Sequence, residues 1–167
     1  LNGEYEKAKA TWLTARSKYG KGFSAHRRND YFLGYVFLKM GLDELAIRQD
    51  YEDAVVRGFF SNATTFLAWA FIVKSDVKDP VADAAMPKGL YNLASAYWRY
   101  NRYSAAHTAA EKGLNYLRKT GQHKYRPQLR RIVAETFIRN RSYLEAVQQM
   151  DIAIRQDRNP EQGAALF

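Results

Sequence analysis

The chain has no cysteine. Disulfides, thiolate nucleophiles and cysteine-ligated zinc are therefore excluded. Proline is scarce, at 4 of 167 residues, and glycine numbers 10, so little interrupts long helices. There is no run of eighteen apolar residues, the length a membrane-spanning helix needs. The longest apolar-rich stretch, residues 65–73, falls well short, and no membrane insertion is expected within this sequence. Sustained alternation of apolar and polar residues is missing too, so no strand is expected. The sequence also lacks an opening methionine and a secretory leader. It reads as a piece of a longer protein whose targeting segment lies elsewhere.

The motifs of catalysis are equally sparse. The three histidines, His26, His107 and His123, show no metal-ligand spacing such as His-Glu-x-x-His. Gly20-Lys21-Gly22 has neither the spacing nor the preceding strand of a phosphate loop and reads as an interhelical turn. Asp50, Glu52 and Asp53 read as a solvated helix face rather than an acid–base pair. Asn62-Ala63-Thr64 matches a glycosylation sequon, a pattern frequent by chance. No catalytic residue, metal ligand or cofactor is expected, and the chain reads as a non-enzyme.

What is present is a repeat. Four segments look alike: NGEYEKAKATWLTA from Asn2, MGLDELAIRQDYEDA from Met40, NRYSAAHTAAEKGL from Asn101 and RSYLEAVQQMDIAI from Arg141. Each places an alanine five or six residues after its first: Ala8, Ala46, Ala106 and Ala146. Tyr5, Tyr103 and Tyr143 stand three residues before three of these. Twelve residues upstream of the later three lie large–small pairs followed by an aromatic: Leu33-Gly34 with Phe37, Leu93-Ala94 with Tyr97, Val133-Ala134 with Phe137. A small residue beside a large one suits helices that approach closely. The four alanines are expected to be buried at such contacts, and the aromatics are assigned to the core.

This pattern resembles the tetratricopeptide repeat, a unit of about 34 residues folded as two antiparallel helices. The resemblance implies an all-α fold, an α-solenoid of antiparallel helix hairpins wound into a right-handed superhelix. Residues 1–22 would supply the second helix of a repeat, and 27–60, 61–86, 87–126 and 127–160 would be repeats. Residues 161–167 would begin another. Pro87 and Pro127 open two units where proline is tolerated. Helices are expected near 3–19, 26–40, 43–57, 61–74, 80–86, 88–101, 103–119, 127–140 and 143–157. The segment 79–86, between Pro80 and Pro87, has room for at most two helical turns.

In such arrays the first helices line a concave groove. The register carries Arg28, Tyr31, Phe32, Tyr35, Leu38 and Lys39 onto that face from the first full unit, and Asn62, Thr65, Phe66, Trp69, Ile72 and Val73 from the second. Lys88, Tyr91, Asn92, Ser95, Trp98 and Arg99 follow from the third, and Gln128, Arg131, Ile132, Glu135, Ile138 and Arg139 from the fourth. Tyr, Trp and Arg dominate binding hot spots. The candidate partner-binding residues are therefore Tyr31, Tyr35, Trp69, Lys88, Tyr91, Asn92, Trp98, Arg99, Arg131 and Arg139. Lys88, Asn92 and Arg99 supply part of the carboxylate clamp that some family members use on a partner's chain terminus.

The net charge of +9 is unevenly spread. Residues 88–141 hold 12 basic and 2 acidic residues, whereas residues 1–87 hold 12 and 11. The leading expectation is a scaffold or sensor module of a larger bacterial signalling, envelope or export protein, binding a protein or peptide segment. The alternative is an anionic polymer, acidic polysaccharide or nucleic acid, held by the basic region with Tyr91, Trp98, Tyr100, Tyr103 and Tyr125 for stacking.

Overall fold

The computed structural model describes residues 2–18 and 24–158, and the expected start of a further unit at 161–167 lies outside them, as does Gly20-Lys21-Gly22. The described residues are all-α, without a strand. Helix α1 spans Asn2–Lys18, α2 Ser24–Arg48 and α3 Ala54–Ala68. A π-helical turn, Trp69–Val73, continues α3. Then come α4 (Pro80–Ala84), α5 (Met86–Arg99), α6 (Tyr103–Thr120), α7 (Arg126–Arg139) and α8 (Tyr143–Arg158). Each helix packs on the next in the series α1, α2, α3, with α5 against α3, α6 and α7, and α7 against α6 and α8.

Two adjacent pairs, α5–α6 and α7–α8, repeat the same turn. Asn101 and Arg141 adopt left-handed backbone, φ 58° and 60°. The Arg102 and Ser142 amides donate to the Tyr97 and Phe137 carbonyls, both at 2.9 Å. The Ala106 and Ala146 amides then donate to the Arg102 and Ser142 carbonyls. This is the Schellman closure, which satisfies helix-end carbonyls and turns the chain back at once. Its recurrence at identical sequence offsets is why the two pairs share one register.

The core runs through α2, α3, the π turn, α5, α6 and α7. Leu33, Phe60, Leu67, Phe71, Leu93, Leu117, Leu129 and Val133 are fully buried in one cluster with Leu90 and Ala94. Each such aliphatic side chain stabilises by about 1.5–3 kcal/mol relative to exposure. Ala106 and Ala146 are buried as expected. A β-carbon at Gly34 would sit 2.9 Å from the Leu67 backbone nitrogen, so the small residue there is what lets α2 meet α3.

The N-terminal half departs from the expected helices. Residues 26–40 and 43–57 do not form separate helices, because α2 continues without a break to Arg48. The Met40-Gly41-Leu42 stretch carries no residue that must leave helical backbone. The turn falls instead at residues 49–53, where Gln49 is left-handed at φ 54°. Asp53 caps α3 by accepting from the Val55 and Val56 amides at 2.8 and 3.3 Å. The boundary expected between Phe60 and Ser61 lies inside α3. Ala46 is consequently exposed, not buried, and Ala8 is only half-buried. The acidic trio occupies this turn rather than a helix face. Tyr143, the first residue of α8, is also exposed and not in the core.

Helix α4 has five residues and no more than two turns, as its bracketing prolines dictate. Arg27, fully buried, ties it to the rest. Its Nε donates to the Ala70 carbonyl and its Nη1 to the Val77 carbonyl, both at 2.8 Å, and Nη1 also meets Asp83 at 2.5 Å. The Ala70 carbonyl is open to Arg27 because the π turn sends the Lys74 amide to the Trp69 carbonyl instead. Lys74 also pairs with buried Asp30 at 2.8 Å.

Among the described residues one helix, Ala54–Val73, is long and apolar enough by length and composition to cross a membrane. The apolar-rich stretch 65–73 is only the C-terminal part of it. Its buried side, Val56, Phe60, Ala63, Leu67, Ala70 and Phe71, belongs to the common core.

Candidate functional site

Helices α5 and α7 lie side by side. On α5 the residues Tyr91, Ser95, Trp98 and Arg99 recur at helical spacing, and on α7 so do Gln128, Arg131, Ile132 and Glu135. These eight side chains together wall one groove of about 230 Å³. All eight belong to the face that the repeat register assigned to the third and fourth units. Arg99 Nη1 donates to Ser95 Oγ at 2.6 Å, which fixes the guanidinium against its own helix. Arg139 stands at one end, 6.0 Å from the centroid of the Trp98 ring and 4.9 Å from that of Tyr103. Such cation–π contacts hold arginine and aromatic as a unit.

The groove carries polar atoms that the described residues leave unsatisfied. Trp98 Nε1, Arg99 Nε and Gln128 Oε1 are buried and have no hydrogen-bond partner among the described residues. Two are donors and one is an acceptor. Burying such groups unpaired costs about 1–3 kcal/mol each. Glu135 sits between the two arginines. Partial desolvation raises its carboxyl pKa, against the downward pull of Arg99 and Arg139.

A second cavity of about 450 Å³ adjoins, lined by Tyr31, Phe32, Val81, Lys88, Lys124 and Tyr125 among others. Tyr91 of the first groove stacks on Tyr125 of the second, centroids 5.5 Å apart and rings inclined by 20°. Lys88 lies 4.7 Å from the Tyr35 ring centroid. Burial first, then the neighbouring phenols of Tyr35 and Tyr125, raise the Tyr31 hydroxyl above its ordinary value.

The expected site residues thus divide. Tyr91, Trp98, Arg99 and Arg131 meet in the groove, with Arg139 at its end. Tyr31 and Lys88 meet in the second cavity, with Tyr35 beside Lys88. Tyr31 is 8% exposed and packs edge-on to Phe71, so it serves the core as well. Asn92 is corrected: it is buried inside α5's packed side rather than presented to the groove, so the partial clamp of Lys88, Asn92 and Arg99 does not assemble on one face. Trp69, 42% exposed on the π turn with Lys74 5.1 Å from its ring, lies outside both cavities. Val81 and Gln122, which line the second cavity, escaped the sequence reading because they sit on α4 and in a turn, outside the periodic helix faces.

No protein-family model matches the chain, and no curated protein matches it in sequence.

Proposed function

We propose that the chain is a non-catalytic array of helical hairpins, similar to tetratricopeptide repeats, that binds an extended segment of a partner protein in the groove between α5 and α7. The observation that carries this reading is the trio of buried polar atoms in the groove with no hydrogen-bond partner among the described residues: Trp98 Nε1, Arg99 Nε and Gln128 Oε1. A peptide backbone offers carbonyls and amides in alternation, so it answers two donors and an acceptor along one line. Trp98 and Tyr91 contribute contact area, as hot-spot aromatics do. Arg99, Arg131 and Arg139 favour acidic side chains and set the on-rate and its salt dependence. Glu135 works against a uniformly anionic ligand, because its carboxylate would face every phosphate or sulfate that followed the groove. The wider role, a scaffold or sensor module within a bacterial signalling, envelope or export protein, follows from fold analogy.

The test is selection of peptides from a random displayed library, followed by titration of the selected peptides. Acidic extended sequences should emerge. Trp98→Ala should weaken them more than about tenfold, the scale of a hot-spot truncation. Lys112→Ala, at an exposed position of α6, should change little. Equal losses from the two variants would sink the groove. Tighter, steeply salt-dependent binding of heparin or single-stranded DNA would favour the anionic-polymer reading.

A further inference from the structure

The two units of irregular length meet at the second cavity, of about 450 Å³. The unit 61–86 is short because α4 has only five residues, and Val81 and Ala84 of that helix form one wall. The unit 87–126 is long because of the turn between α6 and α7, and Gln122, Lys124 and Tyr125 of that turn form another. Tyr31 and Phe32 of α2 and Lys88 of α5 join them. The cavity is thus built from the parts of the chain that depart from the repeat.

Its rings are fixed in place by their neighbours. Phe32 stacks on Trp12, centroids 4.6 Å apart, and Tyr31 packs edge-on to Phe71 at 5.4 Å. Tyr125 stacks on Tyr91 and adopts left-handed backbone at φ 71°. A bulky side chain in that region is strained, and strain of this kind collects at binding sites. The charge is one-sided. Lys88 is half-buried and Lys124 exposed, and among the described lining residues none is acidic. Aromatic walls alone would suit a cation. Here the chain's own ammonium groups take that role: Lys88 lies 4.7 Å from the Tyr35 ring centroid and Lys124 5.5 Å from that of Tyr125. A further cation would meet like charge, whereas an anion would be attracted by both lysines.

We propose that this cavity binds a small aromatic carboxylate, its rings against Tyr31, Phe32 and Tyr125 and its carboxylate between Lys88 and Lys124. Small molecules occupy cavities of about 300–1,000 Å³ whose walls are mostly apolar and whose few polar groups set the orientation. A fused two-ring acid fits this one. Its ring faces and edges find the offset and edge-to-face contacts that aromatic walls favour. A bare inorganic anion would leave those walls wet, and an aliphatic chain would forgo the ring contacts. This site does not depend on the peptide reading of the groove.

Calorimetric titration with 2-naphthoate tests it, with 2-naphthylmethylamine, octanoate and acetate for comparison. 2-Naphthoate should bind saturably, and about tenfold or more tightly than the amine, which keeps the rings but reverses the charge, or acetate, which lacks the rings. Replacing both lysines, Lys88→Gln with Lys124→Gln, should weaken it about fivefold or more. Lys112→Gln removes the same charge from an exposed position of α6 and should change affinity less than about twofold. Tyr125→Gly should cost about fivefold, the loss of an aromatic contact, while Tm stays near the wild-type value because glycine meets left-handed backbone without strain. If Tyr125→Gly does not fold, the lysine pair decides. Absence of saturable 2-naphthoate binding would overturn the proposal. So would an amine that binds as tightly as the acid, octanoate that binds more tightly, affinity that survives Tyr125→Gly, or equal losses from Lys112→Gln and the lysine pair.

Discussion

The tip of the Phe71 ring rests on the backbone of Gly89: a β-carbon built there would come within 2.1 Å of Phe71 Cζ and 2.5 Å of both Cε atoms. Phe71 is fully buried and cannot swing away. The contact joins the π turn to the first turns of α5. Gly89→Ala should therefore destabilise the fold by about 1–3 kcal/mol, the usual cost of overpacking, even though alanine is the better helix former. Adding Phe71→Leu should recover part of that loss. Urea denaturation of both variants measures it, and a neutral or stabilising Gly89→Ala would contradict the contact.

Ala106 and Ala46 stand at the same point of the repeat but in opposite surroundings, one fully buried and one exposed. Ala106→Leu should cost about 1–3 kcal/mol. Ala46→Leu should stay within about 0.5 kcal/mol, as surface changes do. Similar values for the two would restore the turn expected near Gly41 and contradict an unbroken α2.

Arg27 satisfies the Ala70 and Val77 carbonyls at once. Arg27→Leu keeps the bulk of the stem but orphans both acceptors, so a loss on the order of 1–3 kcal/mol is expected. Asp83 is 41% exposed along its side chain, and Asp83→Asn should cost clearly less because water replaces it. Hydrogen exchange should show the loss concentrated at the amides of residues 69–84.

Asp53 has its pKa lowered. Burial alone would raise it, but the Val56 and Val55 amides and Arg48 stabilise the charged form and prevail. A lowered folded value means stability that is fully present above the ordinary 3.8 and is lost as pH falls through the folded value. Asp53→Asn retains a capping oxygen but does not titrate. The stability difference between wild type and Asp53→Asn should be constant from pH 7 to 5 and shrink below about pH 4. A difference that is flat down to pH 2 would show that Asp53 is not tuned.

Legibility in the sequence followed how local the signal was. The pairs α5–α6 and α7–α8 could be read almost to the residue, because the same Asn-Arg or Arg-Ser turn closes both and the large–small pairs Leu93-Ala94 and Val133-Ala134 are all fully buried. The groove followed from that register. In the first half, the rule set by the later pairs was carried onto residues that did not obey it. Gly41 looked like a break, yet it is buried against Phe60 and its backbone stays helical. The Asp53 cap, the π turn and the buried Arg27 connect residues far apart in sequence or break the helical period, and no periodic pattern announces them. Arg126 and Arg130 read as surface charge. Contacts from both α6 and α8 meet them, Arg126 at the Leu117 carbonyl and Arg130 at Gln149.

The π turn at Trp69–Val73 inserts a wide loop of backbone where α3 would otherwise run on. Turns of this kind accommodate one residue more than a regular helix needs. Excising a single residue from 69–73 would let the helix close up and rotate everything beyond it by roughly 100°. Lys74 would then point away from Asp30, and the Ala70 carbonyl would return to its own helix, withdrawing it from Arg27. The chain's tolerance for length change at this point is therefore asymmetric. Loops such as residues 49–53 can gain or lose a residue with local repair, whereas one codon lost here would unfasten α4 and the wall of the larger cavity together.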